Sequence, residues 1–337
     1  IYREWNAVFN EYRPARFAVG EAWVIPEHQH LYAREGELGQ VFNFEFAKAN
    51  WNAAAFKVAI EDGIRSAHDA ESTTTWVMSN HDVVRHASRY GLPQVPTTGY
   101  HELPNDWLLR DGTTYREDRA LGTKRARAAI MMEMALPGSA YVYQGEELGL
   151  FEVADIPWDE LEDPSAWRTS RSASTKGRDG CRVPLPWVAA DAPQLDDPND
   201  EFGHGGSFGF SPADAKAEPH LPQPKWYKDF AVDVESADPD SMLNLYRRVL
   251  ALRHELQTTD LSLEWLPEDQ PGKAHDGANG FPGGTIAYRR ANGWASITNF
   301  GEEPITLPQG EVLLTSGPLT DDGKLPQDTS AWLKLAD

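Results

Sequence analysis

Residues 116–147 read REDRALGTKRARAAIMMEMALPGSAYVYQGEE, and this stretch decides the fold class. Arg116 to Leu136 predicts a helix closing on the apolar run Met131, Met132, Met134 and Leu136. Pro137 and Gly138 stop it. Ala140 to Tyr143 then reads as a short strand that runs straight into Gln144-Gly145-Glu146-Glu147. A helix feeding a strand that ends in a polar cluster is the signature of a parallel α/β sheet. In such sheets the chemistry sits beyond the C-terminal strand ends.

The alternation extends upstream. Arg16 to Val19 is an apolar run ending in Gly20-Glu21-Ala22-Trp23, and Val41 to Phe46 is a second one. Asn50 to Ala67 has Trp51, Ala54, Ala55, Val58, Ile60 and Ile64 near helical spacing. Thr73 to Met78 is a β-rich run that ends in Ser79-Asn80-His81-Asp82. Downstream, residues 151–237 are rich in Pro, Gly, Asp and Ser and only weakly periodic, which reads as a long loop insertion. Gly203 to Gly209 reads as a flexible loop within it. Ser241 to Leu256 predicts an amphipathic helix built on Leu243, Tyr246 and Leu250. Short strands follow at Gly284 to Tyr288, Trp294 to Phe300, Ile305 to Leu307 and Glu311 to Leu314, as in a small antiparallel β domain.

Composition limits the function. The chain has 337 residues, room for about two domains. Its net charge of −21 repels phosphate backbones and anionic lipid, which argues against nucleic acid and membrane as partners. A single cysteine, Cys181, excludes an internal disulfide and a Cys-rich zinc site and suits a cytoplasmic location. No apolar run approaches the roughly 18 residues of a spanning helix, and no signal peptide is visible. The 12 Trp, 11 Tyr and 13 Phe serve core packing, and ring faces of this kind also stack on sugars.

Four segments can carry chemistry. Glu21 sits at a strand end beside Trp23, and an indole that strips water from a carboxyl raises its pKa toward that of a general acid. Taken alone, Glu21 reads first as an exposed glutamate in a turn. Asn80-His81-Asp82 with Arg85 places a carboxylate, an imidazole and a guanidinium within reach of neighbouring hydroxyls, or else makes a loop cap and a surface ion pair. Tyr143 to Glu147 is a strand-to-loop turn with carboxylates. Residues 178–187, RDGCRVPLPW, put Arg178, Arg182 and Trp187 in a proline-stiffened loop, either an anchored lid or a structural loop. A metal-dependent phosphohydrolase reading would use His81 and Asp82 with ligands drawn from His28, His30, His68, Asp69 and His86. Serine-nucleophile, zincin and CxxC motifs are absent.

Together these segments resemble the α-amylase superfamily, glycoside hydrolase family 13, in its bacterial α-glucosidase and oligo-1,6-glucosidase branch. Gly20 to Trp23, Asn80 to Asp82, and Ala135 to Gly138 with Tyr143 to Glu147 match its segments at strands five, seven and eight in order. Residues 178–187 resemble a loop of actinobacterial α-glucosidases. The resemblance implies the C-terminal half of a (β/α)8 TIM barrel, strands five to eight, over residues 1–257. It further implies a β-sandwich domain over 258–337. A retaining glycosidase mechanism follows, with catalytic carboxyls about 5–5.5 Å apart. Glu21 would be the acid/base and Asp82 the transition-state stabiliser, with His81, Arg85, Trp23 and Arg178 binding substrate. Maltose or isomaltose would be typical substrates, and no metal or other cofactor is implied.

The family's nucleophilic aspartate belongs several tens of residues before the acid/base. Only Glu4 and Glu11 precede Glu21 here, and neither lies in an F-R-x-D motif. The expectation is therefore a fragment whose N-terminal barrel half lies in the full-length protein, with residues 1–337 inactive alone. A non-catalytic sugar-binding or scaffold relative is the alternative of another class, although such a protein has no chemical need to keep Glu21, His81 and Asp82 together.

Overall fold

The computed structural model describes residues 1–22, 24, 26–34, 36–95, 102–168, 175–268 and 280–336. The elements run α1 (Tyr2–Phe9), β1 (Ala18–Gly20), α2 (Pro26–Ala33), β2 (Gly39–Val41), α3 (Phe44–Lys48) and α4 (Ala53–Asp69). They continue β3 (Thr75–Val77), α5 (His86–Gly91), α6 (Leu103–Leu109), α7 (Arg119–Ala135) and β4 (Ser139–Tyr141). Then come α8 (Pro164–Arg168), α9 (Val232–Ala237), α10 (Met242–Leu256), β5 (Leu263–Trp265), β6 (Thr285–Arg290), β7 (Trp294–Asn299), β8 (Gly310–Thr315) and β9 (Thr329–Leu335). Among the described residues, no helix is long and apolar enough to cross a membrane.

The long helices lie where the sequence predicts them, with side chains setting their starts. However, Val58 of α4 and Leu250 of α10, expected on the apolar faces, are exposed, while Phe56, Ala59, Leu245 and Val249 are buried instead. Asn52 caps α4 by accepting the Ala55 N–H at 3.1 Å, and Asp118 caps α7 by accepting that of Leu121 at 3.0 Å. Ser241 caps α10 in the same way through Asn244 N–H at 3.1 Å. The apolar run 41–46 breaks differently from its reading as one strand. Asn43 Oδ1 accepts the Phe46 N–H at 3.1 Å, which ends the strand at Val41 and nucleates α3.

The half-barrel expectation is corrected. The parallel strands make two separate two-stranded sheets, β1 with β2 and β3 with β4, and neither sheet curves on into the other. A barrel needs a ladder that passes unbroken from strand to strand. Between β2 and β3 that ladder is replaced by side chains: Thr75 Oγ1 donates to Val41 O at 2.7 Å, and Gln40 Nε2 donates to Thr73 Oγ1 at 2.6 Å and Ser139 Oγ at 2.9 Å. Each of these four strands is three residues long, too short to carry a closed sheet. The fold is α/β, with small separate parallel and antiparallel sheets, none closed into a barrel.

The largest sheet is antiparallel, in the order β5-β6-β7-β9-β8. It lies against α7. Trp332 Nε1 donates to Met131 O at 2.9 Å, Ser330 Oγ to Ala128 O at 2.8 Å and Arg290 Nη1 to Ala135 O at 2.8 Å. Phe46, Phe56, Trp76, Tyr90, Met131 and Leu245 share one core with Tyr288, Trp294 and Trp332 of the sheet. Within residues 151–237 a second core gathers Val153, Ile156, Leu161, Val183, Phe208 and Tyr227. Phe208, inside the glycine-rich segment, is fully buried, so that segment is pinned by its aromatic side chain.

Candidate active site

Two strand ends bring the site together. β1 stops at Gly20, and Glu21 follows it at the surface. β3 stops at Val77, and a constrained turn carries the chain through Ser79 to Asp82. Asn80 Oδ1 accepts the Asp82 N–H at 2.8 Å, an Asx-type bond that sets the direction of both His81 and Asp82. Arg89 holds the turn from below, donating from Nη2 to Met78 O at 2.8 Å and from Nε to Val84 O at 2.9 Å. Ser79 Oγ accepts the His86 N–H at 3.0 Å.

One ligand-type atom from each of Glu21, His81 and Asp82 lies within 4.8 Å of the others. Glu21 and His81 are exposed and Asp82 is partly covered. His81 Nε2 is 3.5 Å from Asp82 Oδ1. Arg178 Nη1 donates to the same Oδ1 at 2.5 Å and Arg182 Nη2 at 3.2 Å, while Arg182 Nε reaches His81 O at 2.9 Å. Charge-assisted bonds of this kind are the stronger class, and two of them on one oxygen restrict the carboxylate's rotation.

The network continues inward to Asp163, whose side chain is fully buried. Arg178 donates to it from Nε at 2.6 Å and from its backbone N–H at 3.0 Å, and Arg182 Nη1 lies 3.8 Å away. Burial works against the Asp163 charge, but hydrogen bonds from Arg178 and Ser165 outweigh it and hold the carboxyl below the usual carboxylate range.

Sequence reasoning named Glu21, His81, Asp82 and Arg178, and these meet. Arg85 stands apart from them. It is buried, with Nη1 on Gln144 O at 3.1 Å and Nη2 on Cys181 O at 2.9 Å. Its guanidinium also lies 5.1 Å over the Tyr143 ring, whose hydroxyl donates to the same Cys181 carbonyl at 3.0 Å. Arg85 thus anchors the 178–187 loop to the end of β4. Trp23 lies outside the described residues. Asp163 went unnamed in the sequence reading. Its one local signal is Asp163-Pro164-Ser165, an acid before a helix start, and Oδ1 does accept the Ser165 N–H at 2.9 Å.

Among the described residues, Glu21, His81 and Asp82 form the only group of three metal-type ligands. Two guanidiniums already occupy Asp82 Oδ1, which is unfavourable for a cation there. The further ligands that a phosphohydrolase would need are elsewhere. His68 and Asp69 end α4 in solvent, and burial, helped by Arg89 and Arg85, pushes the His86 imidazole down to about 3.

Deeper still is a set of buried carboxyls. Burial, with the charges of Glu133 and Glu147 added, holds Glu146 well above the usual carboxylate range. Tyr246 OH donates to its Oε1 at 3.2 Å. The Tyr246–Glu146 bond braces the loop after β4 against α10.

Comparison with known proteins gives a consistent picture. Residues 103–260 match the family model of the α-amylase catalytic domain. A probable α-glucosidase of Rhizobium meliloti (strain 1021) is 30% identical over 257 residues, covering 74% of this chain and 37% of that protein. A salivary α-glucosidase of Aedes aegypti is 26% identical over 321 residues, 90% of this chain and 44% of its own length. The solved structure of an α-glucosyl transfer enzyme superposes with a TM-score of 0.64 at 24% identity, over 98% of this chain and 53% of that one. The chain spans less than half the length of these two curated relatives.

Proposed function

From the chain's relationship to the α-amylase superfamily, broadly of α-glucosidase type, we propose that it carries the acid side of a retaining α-glucosidase site. The reaction is hydrolysis of terminal α-linked glucose from short oligosaccharides such as maltose or isomaltose. The observation that carries this reading is the meeting of Glu21, His81 and Asp82 within 4.8 Å, with two arginines on Asp82.

In this proposal Glu21, which is exposed, protonates the departing glycosidic oxygen and later takes a proton from water. Asp82 accepts hydrogen bonds from sugar hydroxyls, and these strengthen as the ring flattens toward the oxocarbenium ion. His81, an exposed donor beside it, reads a neighbouring hydroxyl. Arg178 orients Asp82. Arg85 contributes by tethering the 178–187 loop. A retaining mechanism also needs an attacking carboxylate, a role that neither Glu21 nor Asp82 takes in this proposal.

The test is maltose binding to the chain by calorimetry, together with glucose release by a polypeptide that also includes the nucleophile. Asp82→Asn should weaken binding about tenfold, in line with the loss of charge-assisted hydrogen bonds. Glu21→Gln should still bind maltose yet lose glucose release by a factor of at least about 10². Binding without turnover, and without response to Glu21→Gln in any polypeptide context, would point instead to a non-catalytic sugar-binding protein.

A further inference from the structure

Asp163 is a fully buried carboxylate that reaches the site through other side chains. It receives Arg178 at Nε and at the backbone N–H, and Arg182 Nη1 approaches its Oδ2 at 3.8 Å. The outer ends of the same two guanidiniums close on a single oxygen of Asp82. The order from surface to interior is carboxylate, two guanidiniums, carboxylate. Two arginines without an inner anion would present a fork suited to phosphate. With Asp82 in front and Asp163 behind, the two positive charges are cancelled within the network, before Glu21 is counted.

We propose that Asp163 is a positioning and specificity-determining residue. It locks Arg178 and Arg182 against Asp82 and cancels their charge, so that the site takes an uncharged glycoside and turns away sugar phosphates. The proposal rests on the glycosidase reading for the identity of the sugar, but the charge balance stands on the geometry alone. Asparagine at 163 could still cap the helix start through its Oδ1, so the change removes the charge and leaves the Ser165 bond possible.

The experiment is calorimetric titration of the whole chain with maltose and, separately, with glucose 6-phosphate. For Asp163→Asn, sugar-phosphate affinity should rise about tenfold and maltose affinity should fall by about as much. The gain should vanish in the Asp163→Asn/Arg178→Gln double variant, which no general loosening of the fold would produce. A folded Asp163→Asn chain that binds glucose 6-phosphate no better than wild type overturns the proposal. Arg178→Lys guards against a misfolded Asp163 variant. It keeps the charge but cannot span Asp82 and Asp163 together, so it should lose maltose affinity with sugar-phosphate exclusion unchanged. Wild-type maltose affinity in that variant also overturns the proposal. If the wild-type chain binds no maltose at all, the glycoside reading fails, while the sugar-phosphate arm still decides the role of Asp163.

Discussion

Glu152 accepts the Arg85 N–H at 2.8 Å from inside the protein, and burial pushes its carboxyl up from the ordinary 4.5 to about 7. The folded state therefore keeps a proton that the unfolded chain has already released. Between those two values stability falls as pH rises, by about 1.4 kcal/mol per pH unit for one such group. Glu152→Gln should remove that slope. Its stability relative to wild type should increase from below pH 4.5 to above pH 7, as read by urea denaturation across the range. Parallel curves would mean that folding does not shift the Glu152 carboxyl at all. His86 acts on the opposite limb. It is held neutral down to about 3, so stability is lost as pH falls below 6.5, where the unfolded imidazole gains its proton. Nothing local in the sequence distinguishes Glu152 from the other acids among the 52, and Asp163 carries only the weak signal of an acid before a helix start. Their character comes from which chain segments close over them.

At the level of elements, α5 and α7 cross where neither has a side chain to spare. A Cβ on Gly122 would stand 2.3 Å from Ala87 O, and one on Gly91 would stand 2.6 Å from Asp118 O. Gly122→Ala should therefore cost about 1–3 kcal/mol, the range for forcing volume into a packed contact. Gly317, with nothing within 4 Å of its Cβ position, is the control, and its alanine variant should melt within a degree or so of wild type. Equal melting temperatures for the two variants would refute the close crossing. The helices themselves were readable: Ser241 to Leu256 became α10 over Met242–Leu256, and Arg116 to Leu136 became α7 over Arg119–Ala135. The strand reading of Val41 to Phe46 failed because a single cap, Asn43, outweighs apolar content in so short a run. Strands β5 and β9 went unread. β9 is buried on both faces over most of its length and so lacks the alternation that marks a half-exposed strand.

At the level of the whole molecule, the antiparallel sheet and the helices share one core. Trp332 is fully buried, packs at 4.9 Å and a 60° tilt against Trp294, and ties its indole N–H to Met131 O. Arg127 reaches back from α7 to Ser316 O at 2.8 Å, and Trp51 Nε1 donates to Asp328 Oδ1 at 2.5 Å. Residues 258–337 should not unfold independently of α7. Trp332→Ala should cost about 3–5 kcal/mol, the range for emptying a large aromatic site. Unfolding should stay a single transition by tryptophan fluorescence and far-UV circular dichroism alike. A sheet that melts first and leaves the helical signal intact would show that the contact is weak.

The sequence by itself determined the three long helices α4, α7 and α10, the order of the polar clusters at strand ends, and the resemblance that names Glu21, His81 and Asp82. All of these are encoded in residues within one or two turns of each other, where periodicity, caps and stop signals act. Only the tertiary structure decided that the parallel strands form two separate sheets, that Arg85 faces inward to Cys181 while Arg178 faces Asp82, and that Asp163 stands behind both arginines. Sheet continuity depends on whether backbone or side-chain groups bridge residues such as Val41 and Thr75, 34 positions apart. A carboxylate's charge depends on partners such as Arg178 and Asp82, 96 positions apart. Contacts at that separation leave no local pattern, because burial and pairing are set by the fold as a whole.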